Sequence, residues 1–336
     1  MIVTKNTILY LYILCCISFP FLAHGKLSFF SKVIIWGHPL HSHTHSYIHE
    51  GFYRAFKHLG YEVYWVKNQD EMQHVDLHNA LFITEGQVDG EMPKRQDCYY
   101  IVHNWNSDNY QELFNNNRCI LLQVYTDDCL PYAPEKLGDC IYCNSKEKMI
   151  FMPWATDLLP HEIERVKQHR IKDNQRSIIS WVGTIGGGRF GNQVELAGFK
   201  KACRENDVVF NHKINVSREE NIDLIATSYM APAIQGPYQC EKGYIPCRIF
   251  KNISYGQWGV TNNKIVYDLF KGKVVYNPDT YQLFYDAKAH IDNTPISELY
   301  ELMDFVKNNH TYINRIEMLL TFMQRALNIK EENEVK

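Results

Sequence analysis

The stretch 181–192, WVGTIGGGRFGN, lies between an apolar run and a segment with helical spacing. The apolar run at 177–182 predicts a buried strand, and residues 193–205 predict a helix. A strand, a glycine-rich turn and a helix in this order bring bare backbone amides to a helix N-terminus, where they can bind phosphate. The same order indicates an α/β fold, in which strands and helices alternate.

The glycine-rich turn has low specificity as a motif. It is not a Walker loop, because the Gly-Lys-Ser/Thr element is missing, and it is not a strict GxGxxG dinucleotide fingerprint. We predict that its backbone amides and one basic side chain bind phosphate, at Gly186, Gly187, Gly188 and Arg189. A flexible connecting loop is the alternative interpretation of the turn when it is considered alone.

The rest of the chain repeats the alternation of strand and helix. Upstream, the apolar run 32–36 ends at Gly37, an amphipathic stretch follows at 45–59, and an alternating strand pattern occupies 61–66. Further apolar runs predict strands at 80–84, 98–102, 119–125, 149–152, 208–211, 229–233 and 273–276. Buried strands separated by helices predict doubly wound parallel sheets, so the expected fold class is α/β with Rossmann-like domains.

Length and proline placement predict two such domains. A chain of 336 residues exceeds one typical domain and suits two domains of about 150 residues each. Two prolines bracket the segment 153–160, PWATDLLP, and a strongly charged stretch follows it. We therefore predict Rossmann-like domains over 26–155 and 156–310, joined near this segment. A last helix over 311–336 is expected to cross back and brace the first domain.

The charge of the chain argues against an attraction to polyanions. The formal net charge is -3, charged residues make up 22% of the sequence, and no run of lysine or arginine is present. Nucleic-acid-binding domains usually carry a basic patch or stripe. On this basis the sequence predicts that nucleic acid is not a partner.

The first 25 residues differ in composition from the rest. Lys5 precedes an apolar stretch at 8–22, and Ala23 and Gly25 provide small residues where a cleavage site would lie. This pattern predicts a signal peptide over 1–25, with an uncleaved signal-anchor as the alternative. Either one predicts an exported or membrane-anchored protein, in a secretory lumen, the periplasm or the extracellular space. The anchor would associate the chain with a membrane.

Cysteine usage is compatible with export. Ten cysteines, less Cys15 and Cys16 of the signal segment, leave an even number that permits disulfides. The spacing permits local pairs such as Cys240 with Cys247, or Cys129 with Cys140 or Cys143, and does not select among them.

A second segment of interest is 243–263, GYIPCRIFKNISYGQWGVTNN. Arg248 and Lys251 are three residues apart, so they share one helical face and are predicted to clamp a pyrophosphate group. Asn252, Gly256 and Thr261 are predicted to complete this site. The alternatives are a solvated basic face, or an ion pair between Arg248 and a neighbouring acid such as Glu241.

Three parts of the C-terminal half resemble the donor-binding region of glycosyltransferases with the two-domain GT-B fold. They are Met230 to Gln235, Pro246 to Lys251, and Tyr255 with Gly256. The resemblance is strongest to the spore-maturation-protein-like and group 1 glycosyltransferases, and it covers most of 177–290. One departure is Lys251, which stands where related enzymes often have an acidic residue that binds the donor ribose or sugar.

The resemblance implies two Rossmann-like domains facing across a cleft, with the donor bound by the second domain. It implies an enzyme of glycan biosynthesis that moves a sugar from a nucleotide-sugar to a hydroxyl of a glycan, lipid or protein. No cofactor is expected beyond the nucleotide-sugar co-substrate. No Asp-x-Asp element sits at a suitable strand end, so Arg248, Lys251 and the loop amides, rather than a metal ion, are expected to stabilise the leaving group.

The loop after the first predicted strand contains a local excess of histidine, at His38, His41, His43, His45 and His49. In the GT-B arrangement this loop faces the cleft, so the resemblance favours His43 or His45 as the general base. Glu85, His103 and Asp127 lie at predicted strand ends on the acceptor side. The alternative for any single histidine is that it caps the helix or stays solvated.

Two other classes of protein compete with this interpretation. His41, His43 and His45 resemble the HxH element of metal-dependent hydrolases, with His103 and Asp127 or Asp128 as further ligands. That interpretation leaves the glycine and arginine residues of the C-terminal half unexplained. The second competitor is a non-catalytic carbohydrate-binding protein that keeps the same fold.

Overall fold

The computed structural model describes residues 29–85, 92–103, 113, 118–125, 135–169 and 176–329. The predicted signal segment 1–25 therefore lies outside the described residues. Within the described ranges, no helix is both long enough and apolar enough to cross a membrane.

The N-terminal part is built on one eight-stranded sheet with the order β2-β1-β3-β4-β5-β8-β7-β6. Its strands are β1 (Val33–Trp36), β2 (Val63–Val66), β3 (Leu81–Glu85), β4 (Tyr99–His103), β5 (Cys119–Gln123), β6 (Glu135–Gly138), β7 (Ile141–Asn144) and β8 (Met149–Phe151). The first six in this order pair in parallel, and the last two join by antiparallel pairing. Every residue of β1 and β4 is buried, as expected for strands covered on both faces.

Helix α1 (Ser46–His58) follows β1 and packs its apolar face on the sheet through Phe52, Ala55 and Phe56. It ends before Gly60, whose φ of +81° is the left-handed conformation that glycine adopts without strain. Its other neighbour is a helix from the C-terminus of the chain, described below.

The C-terminal part has five short strands: β9 (Ile178–Val182), β10 (Val209–Lys213), β11 (Ala231–Ala233), β12 (Gly259–Thr261) and β13 (Val275–Tyr276). They form the parallel groups β10-β9 and β11-β12-β13. The groups lie side by side, because the Tyr229 amide donates to the Ile178 carbonyl at 2.8 Å and the Ser180 amide donates to the Ser228 hydroxyl at 2.8 Å. The carboxyl ends of β9, β11 and β12 therefore meet at one edge.

The remaining helices cover these strands and connect the two parts. They are α2 (Pro160–His169), α3 (Gln193–Glu205), α4 (Arg218–Ala226), α5 (Pro237–Glu241), α6 (Cys247–Ser254), α7 (Lys264–Leu269), α8 (Thr280–Asn293), α9 (Ile296–Asn309) and α10 (Tyr312–Ala326). A short 3-10 helix also occurs at Asp70–Met72. Helix α10 begins with a capping box, in which Thr311 and Asn314 exchange hydrogen bonds.

Helix α10 packs against α1 of the N-terminal part. Gly51 allows this close approach, since a Cβ atom there would lie 2.2 Å from the Tyr312 ring. The Phe52 and Tyr312 rings then meet at 4.8 Å. The last helix is thus part of the same hydrophobic core as the first sheet.

The segment 153–159 runs between the two parts and is held from both sides. The Thr156 amide donates to the His310 carbonyl at 3.0 Å, and the Thr156 and Ser254 hydroxyls are 2.7 Å apart. The buried Arg315 guanidinium donates to the Pro153 carbonyl at 2.7 Å. The division of the chain at 155 and 310 itself stays a prediction.

The cysteines in the described ranges are free, including Cys240 and Cys247. The local pairing of these two is therefore absent from the structure. Cys129 lies outside the described residues.

Candidate functional site

The glycine loop, residues 183–192, forms a closed turn at the start of α3. The Gly186 carbonyl accepts hydrogen bonds from the amides of Asn192 at 2.9 Å and Gln193 at 3.0 Å. The amides of Gly186, Gly187 and Gly188 donate to no other residue that the structure describes. The loop therefore presents three amide donors beside a helix N-terminus, which is a favourable environment for an anion.

Close packing explains why the loop is rich in glycine. A Cβ atom at Gly191 would lie 2.1 Å from the Gly186 carbonyl oxygen, and one at Gly236 would lie 1.9 Å from the Gly191 oxygen. Gly188 has a φ of +71°, in the left-handed region. The loop is therefore packed against the end of β11, and this geometry argues against the interpretation of a flexible connector.

Arg248 lies directly behind the glycine loop. Its Nη1 donates to the Val182 carbonyl at 2.6 Å, and its guanidinium lies 3.9 Å from the centre of the Trp181 ring. Gly183 leaves room for it, since a Cβ atom there would be 2.9 Å from Nη2. Burial lowers the pKa of Arg248 to about 10, so the side chain remains charged at neutral pH.

No carboxylate among the described residues pairs with Arg248, and Glu241 is not its partner. A half-buried cation is costly unless something compensates its charge. Its carbonyl contact and the face of Trp181 supply part of that compensation.

Lys251 is one turn further along α6 and reaches a different place. Its Nζ lies 3.5 Å from the Asp157 carboxylate, with the rings of Tyr47 and Tyr255 at 5.7 and 5.8 Å. The Tyr255 hydroxyl donates to the same carboxylate at 2.6 Å. Arg248 contacts the end of β9, where the glycine loop begins at Gly183, whereas Lys251 contacts the segment between the two parts.

Lys251 belongs to a group of charges that we call the hinge cluster: Arg54, Asp157, Glu162, Arg218 and Lys251. Both oxygens of Glu162 accept from Arg54, at 2.7 and 2.8 Å, and one also accepts from Arg218 at 2.8 Å. Burial by itself would raise the pKa of Glu162, but hydrogen bonds from Arg54, the Leu159 amide and Arg218 lower it to about 2. One carboxylate thus connects α1, α2 and α4.

Glu50 on α1 faces the hinge cluster. Burial, and then the nearby charge of Asp157, raise the pKa of this carboxyl. Arg54, Lys251 and Arg218 act in the opposite direction. The cluster therefore places carboxyl groups from α1 and from the connecting segment around a lysine of α6.

The other predicted donor residues lie in the interior. The Asn252 side chain donates to the Ala231 carbonyl at 2.8 Å, and the Thr261 hydroxyl donates to the Ala233 carbonyl at 3.4 Å. Gly256 is buried and has a φ of +89°, which lets the chain turn from α6 into β12. These contacts hold α6 against the strand ends and so position Arg248.

The histidine loop lies between β1 and α1. The His43 Nδ1 accepts from the His45 amide at 3.3 Å, and the two rings are 5.1 Å apart. His38 stacks on His43 at 4.2 Å, whereas His41 contacts the Tyr47 hydroxyl at 3.1 Å. His43 is exposed and His45 is half-buried, so both rings are within reach of solvent.

Beside His45 lies a buried group of side chains at the ends of the central strands. The His45 ring is 5.4 Å from that of His103, which is 4.8 Å from Trp154. These three residues and Thr84 line a small cavity beneath α1, and His103, Trp154 and Thr84 are buried. Glu85 ends β3, but its side chain and the whole of Asp127 lie outside the described residues.

The metal-hydrolase interpretation requires at least three converging ligands. Among the described residues, no group of three His, Cys, Asp or Glu side chains is arranged to hold a metal ion. His41 turns toward Tyr47 while His43 stacks on His38, so the two rings make different contacts. Asp127 and Asp128 are outside the described ranges.

An aromatic cluster that the sequence pattern did not predict lies at the tip of the glycine loop. It consists of Arg189, Phe190 and Tyr238, with Tyr125 of the N-terminal part beside them. The available signal was Phe190, an aromatic residue within a glycine-rich turn. Tyr238 and Tyr125 are 48 and 65 residues from Phe190 in sequence, so the pattern of the chain did not connect them.

Solved structures resemble this fold. One is an alpha-glucosyltransferase in complex with UDP, with a TM-score of 0.56 and 10% identity, covering 86% of this chain and 99% of that chain. Another is an alpha-glucosyltransferase with UDP-glucose and DNA containing an abasic site, with a TM-score of 0.55, 10% identity and coverage of 86% and 98%. No protein-family model matches the sequence, and no curated protein matches it significantly.

These similarities confirm the predicted fold class: α/β, with two Rossmann-like domains facing across a cleft in the GT-B arrangement. At 10% identity they establish the fold, whereas function depends on the site. They also correct the prediction on nucleic acid, which is wrong because glycosyltransferases of this fold are described in complex with DNA. The net charge of -3 sums over the whole chain and does not report local cations such as Arg189 and Arg248.

Proposed function

We propose that the protein transfers a sugar from a nucleotide-sugar donor to a hydroxyl acceptor. The observation that carries this proposal is Arg248, a half-buried guanidinium with no carboxylate partner among the described residues, at the start of a glycine loop whose three amides donate to no described residue. A donor diphosphate would supply the missing negative charge. The GT-B fold of the similar glycosyltransferases supports the same class of reaction.

The proposed chemistry follows from this charge distribution. The acceptor oxygen forms a bond to the anomeric carbon while the bond from that carbon to the phosphate oxygen breaks. Negative charge then grows on the nucleoside diphosphate, where Arg248, Arg189 and the amides of Gly186, Gly187 and Gly188 would stabilise it. Because these groups provide positive charge themselves, we propose that transfer proceeds without a bound metal or other cofactor.

The proton of the acceptor hydroxyl needs a base on the opposite side of the cleft. We propose His43 or His45 for this role, because both rings reach solvent at the end of β1. Imidazole titrates near neutral pH and suits proton transfer there. His103 is buried behind His45 and would orient that ring rather than contact the acceptor.

The similar structures and the sequence also suggest which donor and which acceptors to test. The similar structures bind UDP or UDP-glucose, so UDP-glucose is the first donor to test. Some of them are described with DNA containing a HMU base, so a nucleic acid hydroxyl joins glycans, lipids and proteins as an acceptor class. The Pro246 to Lys251 tract supports the finer relation to spore-maturation-protein-like glycosyltransferases. The segment 1–25 supports export or membrane anchoring.

The proposal is tested by thermal-shift measurements with UDP, GDP, CMP and their sugars, followed by turnover of the stabilising donor. We expect Arg248→Ala to lower donor turnover at least about tenfold, the loss expected when a charge-assisted contact is removed. Arg204→Ala, which removes an exposed arginine from the end of α3, is the control and should leave turnover unchanged.

Three results would count against the proposal. Full activity of Arg248→Ala would show that this side chain does not bind the donor. Loss of turnover on treatment with EDTA, restored by a divalent metal, would contradict metal independence. Nucleotide binding with no turnover of any sugar would favour a carbohydrate-binding or nucleotide-binding protein that keeps the fold.

A further inference from the structure

The tip of the glycine loop holds a stack of planar groups. The Arg189 guanidinium lies 4.0 Å from the centre of the Tyr238 ring, and the Phe190 ring meets the same tyrosine edge-on at 5.1 Å and 90°. Phe190 is 59% exposed, although burial of an aromatic side chain normally contributes strongly to stability. An exposed aromatic ring beside a candidate site is a common feature of ligand contacts.

The stack is continuous with the proposed diphosphate site. Arg189 and Phe190 follow directly after the free amides of Gly186 to Gly188. Tyr125, just beyond β5 in the N-terminal part, lies 6.1 Å from Tyr238 and 5.3 Å from Tyr244. Tyr244 in turn interacts electrostatically with Arg248. These ring contacts therefore bring Tyr125 of the N-terminal part against the tip of the glycine loop in the C-terminal part.

The charges at this place define the ligand chemistry. Arg189 contacts the rings of Tyr238 and Phe190, and no carboxylate of the described residues pairs with it. Aromatic rings and arginine planes are the groups on which unstacked nucleobases stack, and a cation beside them suits a phosphate.

We propose that Tyr238, Phe190 and Arg189 form a stacking subsite for a nucleobase that is flanked by a phosphate. Two ligands carry this chemistry: the nucleotide of the donor, and a base of a nucleic acid acceptor. The first case rests on the proposed function, and the second does not require a donor to be bound.

The test measures the affinities of UDP, inorganic pyrophosphate and a single-stranded oligonucleotide for Tyr238→Ala, by calorimetric titration. Loss of one stacking partner should weaken a base-containing ligand about tenfold and leave pyrophosphate unchanged. Tyr238→Phe keeps the ring and should retain affinity. Tyr281→Ala is the matched control, since Tyr281 is also half-buried, with a Lys201 amine 5.1 Å from its ring, elsewhere in the same part.

Each outcome has a distinct meaning. A lower affinity for UDP with an unchanged affinity for pyrophosphate supports the subsite and assigns it to the donor base. A lower affinity for the oligonucleotide, with the other two affinities unchanged, supports the subsite and assigns it to an acceptor base. Unchanged affinity for both, or an equal loss for UDP and pyrophosphate, overturns the proposal. If the wild-type protein binds neither UDP nor pyrophosphate, the proposed function fails, and the oligonucleotide measurement alone decides the subsite.

Discussion

The hinge cluster and the glycine-loop end of the site differ in the partners of their positively charged side chains. In the hinge cluster, Arg54 and Arg218 share the Glu162 carboxylate, and Lys251 faces Asp157. At the glycine loop, Arg248 and Arg189 lie on the faces of Trp181 and Tyr238, and the described residues offer them no carboxylate.

This difference teaches how the two groups of cations are used. A cation paired with a carboxylate has its charge satisfied within the protein and holds elements together. A cation placed on an aromatic ring is not neutralised, so its charge remains able to attract an anionic ligand. Arg248 and Lys251 show the contrast within one helix, because they lie a single turn apart on α6 and fall into different groups.

The largest expected effect comes from removing the shared carboxylate of the hinge cluster. Glu162→Gln leaves Arg54 without its carboxylate partner and Arg218 with only the exposed Glu219, and we expect the free energy of unfolding to fall by about 3 kcal/mol. Urea unfolding measures it. The control is Glu301→Gln, which breaks an exposed pair with Lys273 and should leave the free energy of unfolding nearly unchanged. A loss of unfolding free energy equal to that of the control would contradict the difference between the hinge cluster and the glycine loop.

Acid should lower the stability of the protein by protonating the same carboxylate, that of Glu162. The pKa of Glu162 lies near 2 in the folded protein and near 4.5 when unperturbed, so its contribution is complete above pH 4.5 and is lost as pH falls toward 2. Between pH 6 and pH 3, wild type should lose about 2 kcal/mol more stability than Glu162→Gln. Urea unfolding at both pH values checks this. Parallel losses in the two proteins would place the acid-sensitive group elsewhere.

A pair of matched arginine substitutions separates the two regions directly. Arg54→Met breaks the hinge cluster and should cost about 2 kcal/mol of stability while leaving UDP affinity unchanged. Arg248→Met removes a desolvated charge that lacks a carboxylate, so its stability should stay within about 0.5 kcal/mol of wild type. UDP affinity should fall at least about tenfold. If both variants lost stability equally, the two regions would not differ as proposed.

The smallest expected effect concerns Lys251, which decides where the boundary between the regions lies. If it belongs to the hinge cluster, Lys251→Met should cost about 1 kcal/mol of stability and change UDP affinity less than about twofold. Urea unfolding and UDP titration of the same variant measure both quantities. A loss of UDP affinity as large as that of Arg248→Met would assign Lys251 to the donor site, as the pattern of the sequence alone predicts.

Local patterns predicted much of the fold. The strand, glycine turn and helix at 178–205 appear as expected, as do β1 with α1 and the helix at the C-terminus. Each depends on contacts between residues close in the chain, so periodicity and glycine content report them. The antiparallel strands β6 and β7 were not predicted, because they are short and form an edge whose pairing depends on β8.

The candidate site also has features that the sequence predicted and features that only the tertiary structure decided. The sequence by itself located the glycine loop and the histidine loop, since each is a dense local excess of one residue type, and it singled out Arg248 by its spacing from Lys251. Tertiary structure alone decided which cations are neutralised, because Arg54, Arg218 and Lys251 meet their carboxylates across 56 to 108 residues of chain. It also decided that Asn252 and Thr261 face the interior. The physical reason is that charge pairing and burial depend on distance in space, which residue spacing encodes only within one helix or strand.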